Sequence, residues 1–349
     1  MLVAAANDGV YWGSGGILYP LQETKISITR EVLSFSCRGD EAEVNVLLEF
    51  RNPESVSRTL TIGFQAPSAS GDLPDSICSI PQIKDLRVMN DGRLLPFRTM
   101  MAEEENAPLV ELGKLRFSQE SWGIFVYVFE MTFKPGLNTV QHSYRFPASG
   151  SVDMDRAFSY ILRTGAKWAG GTIGHLTTEI DFGGSERFFV RDVYGDRAEW
   201  SIVGIGRIGG KQPGRYDEGM REVRLVAGKL RITVADMVPA ENMEFYAQMR
   251  GMFLDWPGPD AQYRNEVLRA VGSRSLDIGE EVTWTNEELR FMRNLIFAQH
   301  GYPFKDPEQR KLFEAFDWYI PDPNLIWSDA LLTPEERLFL GMIKAKELE

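Results

Sequence analysis

Between about residues 10 and 250, apolar and polar residues mostly alternate along the chain. Val44, Val46, Leu48 and Phe50 alternate with Asn45, Leu47 and Glu49, and Leu60, Ile62 and Phe64 with Thr59, Thr61 and Gly63. A period of two puts successive side chains on opposite faces, so each run predicts a strand with one face in a core. Val140, His142, Tyr144 and Phe146 repeat the pattern, whereas Ile124 to Phe133 is apolar at both parities and predicts a strand covered on both sides. Asn90-Asp91-Gly92, set between Leu86/Val88 and Leu94/Leu95, predicts a hairpin, because these residues tolerate positive φ. Ala227-Gly228-Lys229, between Leu225 and Leu230, predicts a second tight turn. Strands at this spacing without intervening helices predict antiparallel β-sandwiches, not a parallel α/β sheet.

Near residue 285 the period changes to that of a helix. Thr285-Asn286-Glu287-Glu288 is a capping box, and Leu289, Met292, Ile296 and His300 follow at steps of three and four. Gly301 stands where a left-handed residue ends a helix without strain. Asp306-Pro307-Glu308-Gln309 starts a second helix with proline at its first position, and Leu312, Phe313 and Phe316 form its apolar side. Thr333-Pro334-Glu335-Glu336 opens a third, carrying Leu338, Phe339, Met342 and Ile343. The fold class is therefore mainly β with a small all-α C-terminal domain of three helices.

Boundaries fall where these patterns break. Residues 1–6 read as a signal-peptide remnant or a disordered tail, since small residues (Ala4-Ala5-Ala6) precede a polar start. Residues 7–148 form a first β-sandwich domain and 149–255 a second β-rich domain. Residues 256–283, opened by Trp256-Pro257-Gly258-Pro259, form a linker with a short helix at Tyr263 to Val271, and 284–349 the helical unit.

The helical segment carries a resemblance. Phe297-Ala298-Gln299-His300-Gly301 is similar to the Tyr-Ala-Arg-His-Gly signature of the YARHG domain, a module of exported bacterial envelope proteins. Tyr302-Pro303-Phe304-Lys305-Asp306 and Phe316-Asp317-Trp318-Tyr319 also fit, and together the match covers roughly the last sixty-five residues. Phe297 lacks the signature's hydroxyl and Gln299 its charge. The β region resembles a bacterial exported family of unknown function, in Asn7-Asp8-Gly9, in Ile28 to Glu31, in Glu43 to Asn52, in Asn138 to Pro147 and in Tyr160 to Trp168. These resemblances imply an extracytoplasmic protein, periplasmic or at the cell surface, and no assigned reaction.

A net charge of −12 over 349 residues, with both the helical segment and the remainder acidic, disfavours nucleic acid and anionic lipid as partners. No apolar run approaches the ~20 residues of a transmembrane helix. Cys37 and Cys78 either pair, as an exported chain permits, or leave Cys37 a reduced buried thiol.

Catalytic signatures are sparse. Gly204-Ile205-Gly206-Arg207-Ile208-Gly209 copies a dinucleotide fingerprint, but Gly210-Lys211-Gln212-Pro213-Gly214 follows where a helix is required, which makes it a β-turn region. Glu103-Glu104-Glu105 lacks the alternating spacing of a calcium loop, and Arg38-Gly39-Asp40 marks a turn. One histidine, His300, without a second ligand makes no metal site; it either contacts a ligand or packs at the helix end. The expected binding surface is aromatic: His300, Tyr302, Trp318, Tyr319 and Trp327, with Trp327 the most exposed. The favoured reading is a non-catalytic binding module without cofactor or metal, contacting a cell-wall or envelope component or another protein. The alternative is an envelope glycan hydrolase with a carboxylate pair flanking a groove.

Overall fold

The structure is a computed structural model that describes residues 10–11, 15–16, 18–67, 70–71, 80–102, 124–150, 156–194, 198–211, 219–247, 265–278, 282–316 and 318–347. Residues 1–6, Cys78, Glu103 to Glu105 and Trp256 to Pro259 lie outside these. The strands begin with β1 (Val10–Tyr11), β2 (Tyr19–Pro20), β3 (Ser27–Arg38), β4 (Glu41–Asn52), β5 (Arg58–Pro67) and β6 (Ser70–Gly71). Then come β7 (Lys84–Asn90), β8 (Arg93–Leu94), β9 (Arg98–Ala102), β10 (Ile124–Phe133), β11 (Gly136–Pro147) and β12 (Arg156–Tyr160). The last are β13 (Ile173–Asp181), β14 (Glu186–Arg191), β15 (Ser201–Lys211), β16 (Met220–Met237) and β17 (Met243–Ala247). The helices are α1 (Asn265–Ser273), α2 (Asn286–Gln299), α3 (Pro307–Glu314) and α4 (Pro334–Glu347). The chain is thus sheet-built with an all-helical C-terminal unit, as the two periods predict. None of the described helices is long and apolar enough to cross a membrane.

An eleven-stranded sheet runs β12-β17-β14-β16-β13-β3-β4-β11-β7-β8, with β15 also paired to β16. A four-stranded sheet, β2-β5-β10-β9, faces the same core. Each described strand pair is antiparallel except β3 with β13, which run parallel from Ile28 opposite Ile173 to Ser36 opposite Asp181. That pairing joins strands from either side of residue 148 in one sheet and one core. Inward positions carry large rings: Phe50 packs on Trp168 at 4.4 Å between centroids, and the Trp168 indole donates to the Leu18 carbonyl at 2.6 Å. Each such side chain stabilises the body by roughly 1.5–3 kcal/mol through burial.

The central position of β10 fits its two-sided pattern: one face meets the main core, while Val126 and Val128 pack on Tyr19 and Leu21. Asp91 (φ 48) and Gly92 (φ 76) turn β7 into β8 as expected. The turn expected at Ala227-Gly228-Lys229 is instead the middle of β16, whose first half pairs with β14 and whose second half pairs with β13. The run Gly204 to Gly209 is likewise strand β15, not a turn. Gly204 and Gly228 face each other there. A Cβ on Gly204 would lie 2.1 Å from the Ala227 carbonyl oxygen, and one on Gly228 2.0 Å from that of Val203. These glycines therefore serve close strand approach and not reversal of the chain.

The helical unit has its own core, from Val267 to Ile343, with α2 at its centre. All three expected starts are capped. Thr285 Oγ1 accepts from the Glu288 amide at 3.2 Å, and the Glu288 carboxylate accepts from the Thr285 amide at 2.9 Å. Thr333 and Glu336 repeat these contacts for α4, and Asp306 Oδ1 caps α3. Such caps contribute about 1 kcal/mol each. The C-terminal end of α2 docks on the sheet body: the Gln299 carbonyl accepts from Arg224 Nη2 at 2.8 Å and from Ser185 Oγ. Gly301, at φ 74, sits so close to Val226 that a Cβ would lie 2.4 Å from its methyl group.

Candidate functional site

Two concavities flank the C-terminal half of α2. The first is a groove of about 440 Å³ on the helical unit itself. One wall is a single stripe of α2, Arg290, Arg293, Asn294 and Phe297, spaced at i, i+3, i+4 and i+7. The other wall brings Tyr302, Lys305, Gln309 and Trp327. Trp327 lies edge-on to Phe297 at 4.6 Å and to Tyr302 at 5.7 Å between centroids, so three half-buried rings make an apolar floor. The polar rim is largely tied down. Arg290 pairs with Asp306 at 3.0 Å, Arg293 pairs with Glu347, and the Asn294 amide donates to Gln309 Oε1 at 2.7 Å. Lys305 is exposed and has no ion-pair partner among the described residues.

The second concavity is a cleft of about 600 Å³ between the helical unit and the sheet body. Arg38, Asp181 and Lys229 line it from the sheets, and His300, Asp322 and Leu331 from the helical unit. His300 is fixed from behind: its Nε2 lies 3.0 Å from Glu336 Oε2, and Arg274 Nη2 lies 3.3 Å from the other oxygen. Burial alone would raise the Glu336 pKa. The His300 contact, the Thr333 amide and the Arg274 charge outweigh it and lower the pKa to about 2. An ionised carboxylate only accepts, so the ring hydrogen sits on Nε2, and in the neutral ring Nδ1 keeps a lone pair.

The expected aromatic residues separate accordingly. Tyr302 and Trp327 line the groove, and His300 lines the cleft, 6.1 Å from Trp327 between centroids. Tyr319 is buried, its hydroxyl donating to the Tyr302 carbonyl at 2.7 Å. Trp318 stacks on Phe316 at 5.6 Å and borders neither concavity. The α2 stripe and Lys305 are not part of the binding surface expected from the sequence, although Phe297 and Lys305 stand in the motif and the stripe's helical spacing is visible there. Among the described residues no group of three or more His, Cys, Asp or Glu side chains could hold a metal ion.

Residues 280–347 match the family model of the YARHG domain. The whole chain is similar in fold to a crystal structure of a "putative nutrient binding protein" from Legionella pneumophila subsp. pneumophila str. Philadelphia 1. That likeness has a TM-score of 0.52 at 20% identity and covers 97% of this chain and 100% of the other. No curated protein matches the chain.

Proposed function

We propose that the chain is a non-catalytic, extracytoplasmic bacterial binding protein whose YARHG-type unit holds cell-wall material in the α2 groove. The groove's composition carries this reading: three aromatic rings for stacking, amides at Asn294 and Gln309, and one spare cation at Lys305. That set suits sugar rings beside an acidic group, because rings bury apolar sugar faces and the ammonium pairs with a carboxylate. YARHG domains occur typically in exported proteins, which supports the compartment. The nutrient-binding name of the protein with the same fold supports a binding role. The hydrolase alternative draws no support from the groove. Its one lining carboxylate, Asp306, caps α3 and pairs with Arg290, while a glycosidase needs two.

The test is retention of the full chain on isolated cell-wall material. Phe297→Ala with Trp327→Ala is expected to lower retention about tenfold or more, as loss of two anchoring rings does. Lys305→Glu, a surface change, lowers it less, and Tyr319→Phe leaves it unchanged. Thermal unfolding of each variant confirms the fold. Retention that survives both the double variant and Lys305→Glu overturns the proposal.

A further inference from the structure

The cleft between the two units is lined by two cations, Arg38 and Lys229, and two carboxylates, Asp181 and Asp322, with His300 beside them. On its sheet wall Arg38 pairs with Asp181 at 3.2 Å, and Lys229 pairs at 2.6 Å with Glu179, which Arg231 also contacts. The helical wall keeps one unmatched charge, Asp322. It is 8% exposed and has no ion-pair partner among the described residues. Its Oδ1 accepts from the Asn324 amide at 2.8 Å, while its second oxygen has no hydrogen-bond partner there. His300, on the same wall, has a partner only for Nε2 and leaves Nδ1 equally without one. The two residues are held near each other by the backbone, since the Asp322 amide donates to the Gly301 carbonyl at 2.8 Å.

A mostly buried carboxylate with one oxygen unpaired and open to the cleft is met best by a cation with several donors. We infer that this cleft is a second binding site, for a small organic cation carrying a primary ammonium group. The ammonium donates one hydrogen to Asp322 Oδ2 and another to His300 Nδ1. Its aliphatic part lies against Val226, Leu325 and Leu331. Glu336 and Arg274 act as positioning residues: by accepting from Nε2, the Glu336 carboxylate leaves Nδ1 as the acceptor. The cleft volume, about 600 Å³, lies within the usual range for small-molecule sites, and the ligand would bridge the two units. This site is independent of the cell-wall reading.

The experiment is calorimetric titration of the full chain with n-butylammonium, with butan-1-ol and butanoate as probes of the same alkyl length. Saturable binding at one site is expected for the ammonium alone. Asp322→Asn removes the charge but keeps an oxygen for the Asn324 amide, so it should weaken binding at least tenfold with little effect on folding. Leu331→Trp fills the cleft without touching either anchor and should weaken it similarly, which keeps the test intact should Asp322→Asn fail to fold. Absence of saturable ammonium binding, equal binding in a folded Asp322→Asn or Leu331→Trp chain, or binding of butanoate overturns the site. Cell-wall retention of Asp322→Asn at the native level shows that the groove is a separate matter.

Discussion

The most deeply buried glutamate of the sheet body, Glu31, and that of the helical unit, Glu336, are held in opposite protonation states. Glu31, on β3, is fully buried with one hydrogen-bond donor among the described residues: the Tyr160 hydroxyl lies 3.0 Å from Oε1. Burial pushes its pKa up to about 8, and the hydroxyl offsets only part of that. Glu336, on α4, is nearly as buried, yet it receives a ring N–H, a backbone amide and a guanidinium and stays ionised down to about pH 2. The same residue type therefore acts as a neutral packing group in one region and as an anionic anchor in the other. Depth decides neither case; the number of donors aimed at the oxygens does.

The largest consequence of this contrast is a pH profile. Glu31 has a folded pKa above its unfolded value of 4.5, so its share of stability is complete below pH 4.5 and drains away as pH rises to about 8. His142, fully buried and stacked beside Tyr144, is pushed by burial down to about 3 from 6.5. Its share is complete above pH 6.5 and is lost as pH falls towards 3. Between pH 4.5 and 6.5 the two slopes cancel; between 6.5 and 8 only the Glu31 fall remains, at about 1.4 kcal/mol per pH unit. Urea unfolding of Glu31→Gln should show no fall from 6.5 to 8 and a rise from 4.5 to 6.5, a change of up to about 5 kcal/mol across the whole range. Parallel profiles for the variant and the native chain would mean that Glu31 is not held neutral.

Glu336→Gln tests the other half and should act in the opposite sense. Its folded pKa lies below 4.5, so its contribution is complete above pH 4.5 and lost as pH falls to about 2. At pH 7 the substitution leaves Arg274, only 11% exposed at its side chain, facing a neutral amide. A loss of about 3 kcal/mol is expected at neutral pH, shrinking towards pH 2. A variant as stable as the native chain at pH 7 would break the contrast from this side.

The helical half of the comparison could be read ahead of the structure, because caps are local. Thr285 with Glu288, Thr333 with Glu336, and Asp306 before Pro307 each sit within four residues and announce their own hydrogen bonds. The groove was half visible. The apolar face of α2 drew the reading to Leu289, Met292 and Ile296, while the adjacent stripe ending at Phe297 forms the wall. Tyr319 reads as a surface ring until the Tyr302 carbonyl is placed beside it. In the sheet body the hidden features are non-local. The parallel β3–β13 pairing joins residues 145 positions apart, Ile28 with Ile173 through Ser36 with Asp181, which no local pattern encodes. Glu31 points inward because the β3–β4 register shifts between Ile28 and Arg30. Strict alternation from Ile28 would have placed it outside.

The smallest effect probes the single donor that Glu31 has among the described residues. Tyr160→Phe removes the hydroxyl from Glu31 Oε1 and leaves the ring, which packs on Phe35 at 6.0 Å between centroids. Below pH 4.5 the acceptor is a neutral acid, so the loss should be about 1 kcal/mol, the net worth of a neutral hydrogen bond. Above pH 8 the acceptor in the native chain is a carboxylate, to which a hydrogen bond contributes roughly 1.5–3 kcal/mol, and the loss should grow accordingly. The hydroxyl lowers the Glu31 pKa, so its removal raises that pKa further and stretches the alkaline fall to higher pH. A penalty that is constant from pH 4 to 9 would show that Glu31 keeps one charge state throughout. Glu31 and Glu336 would then differ in their neighbours but not in their chemistry.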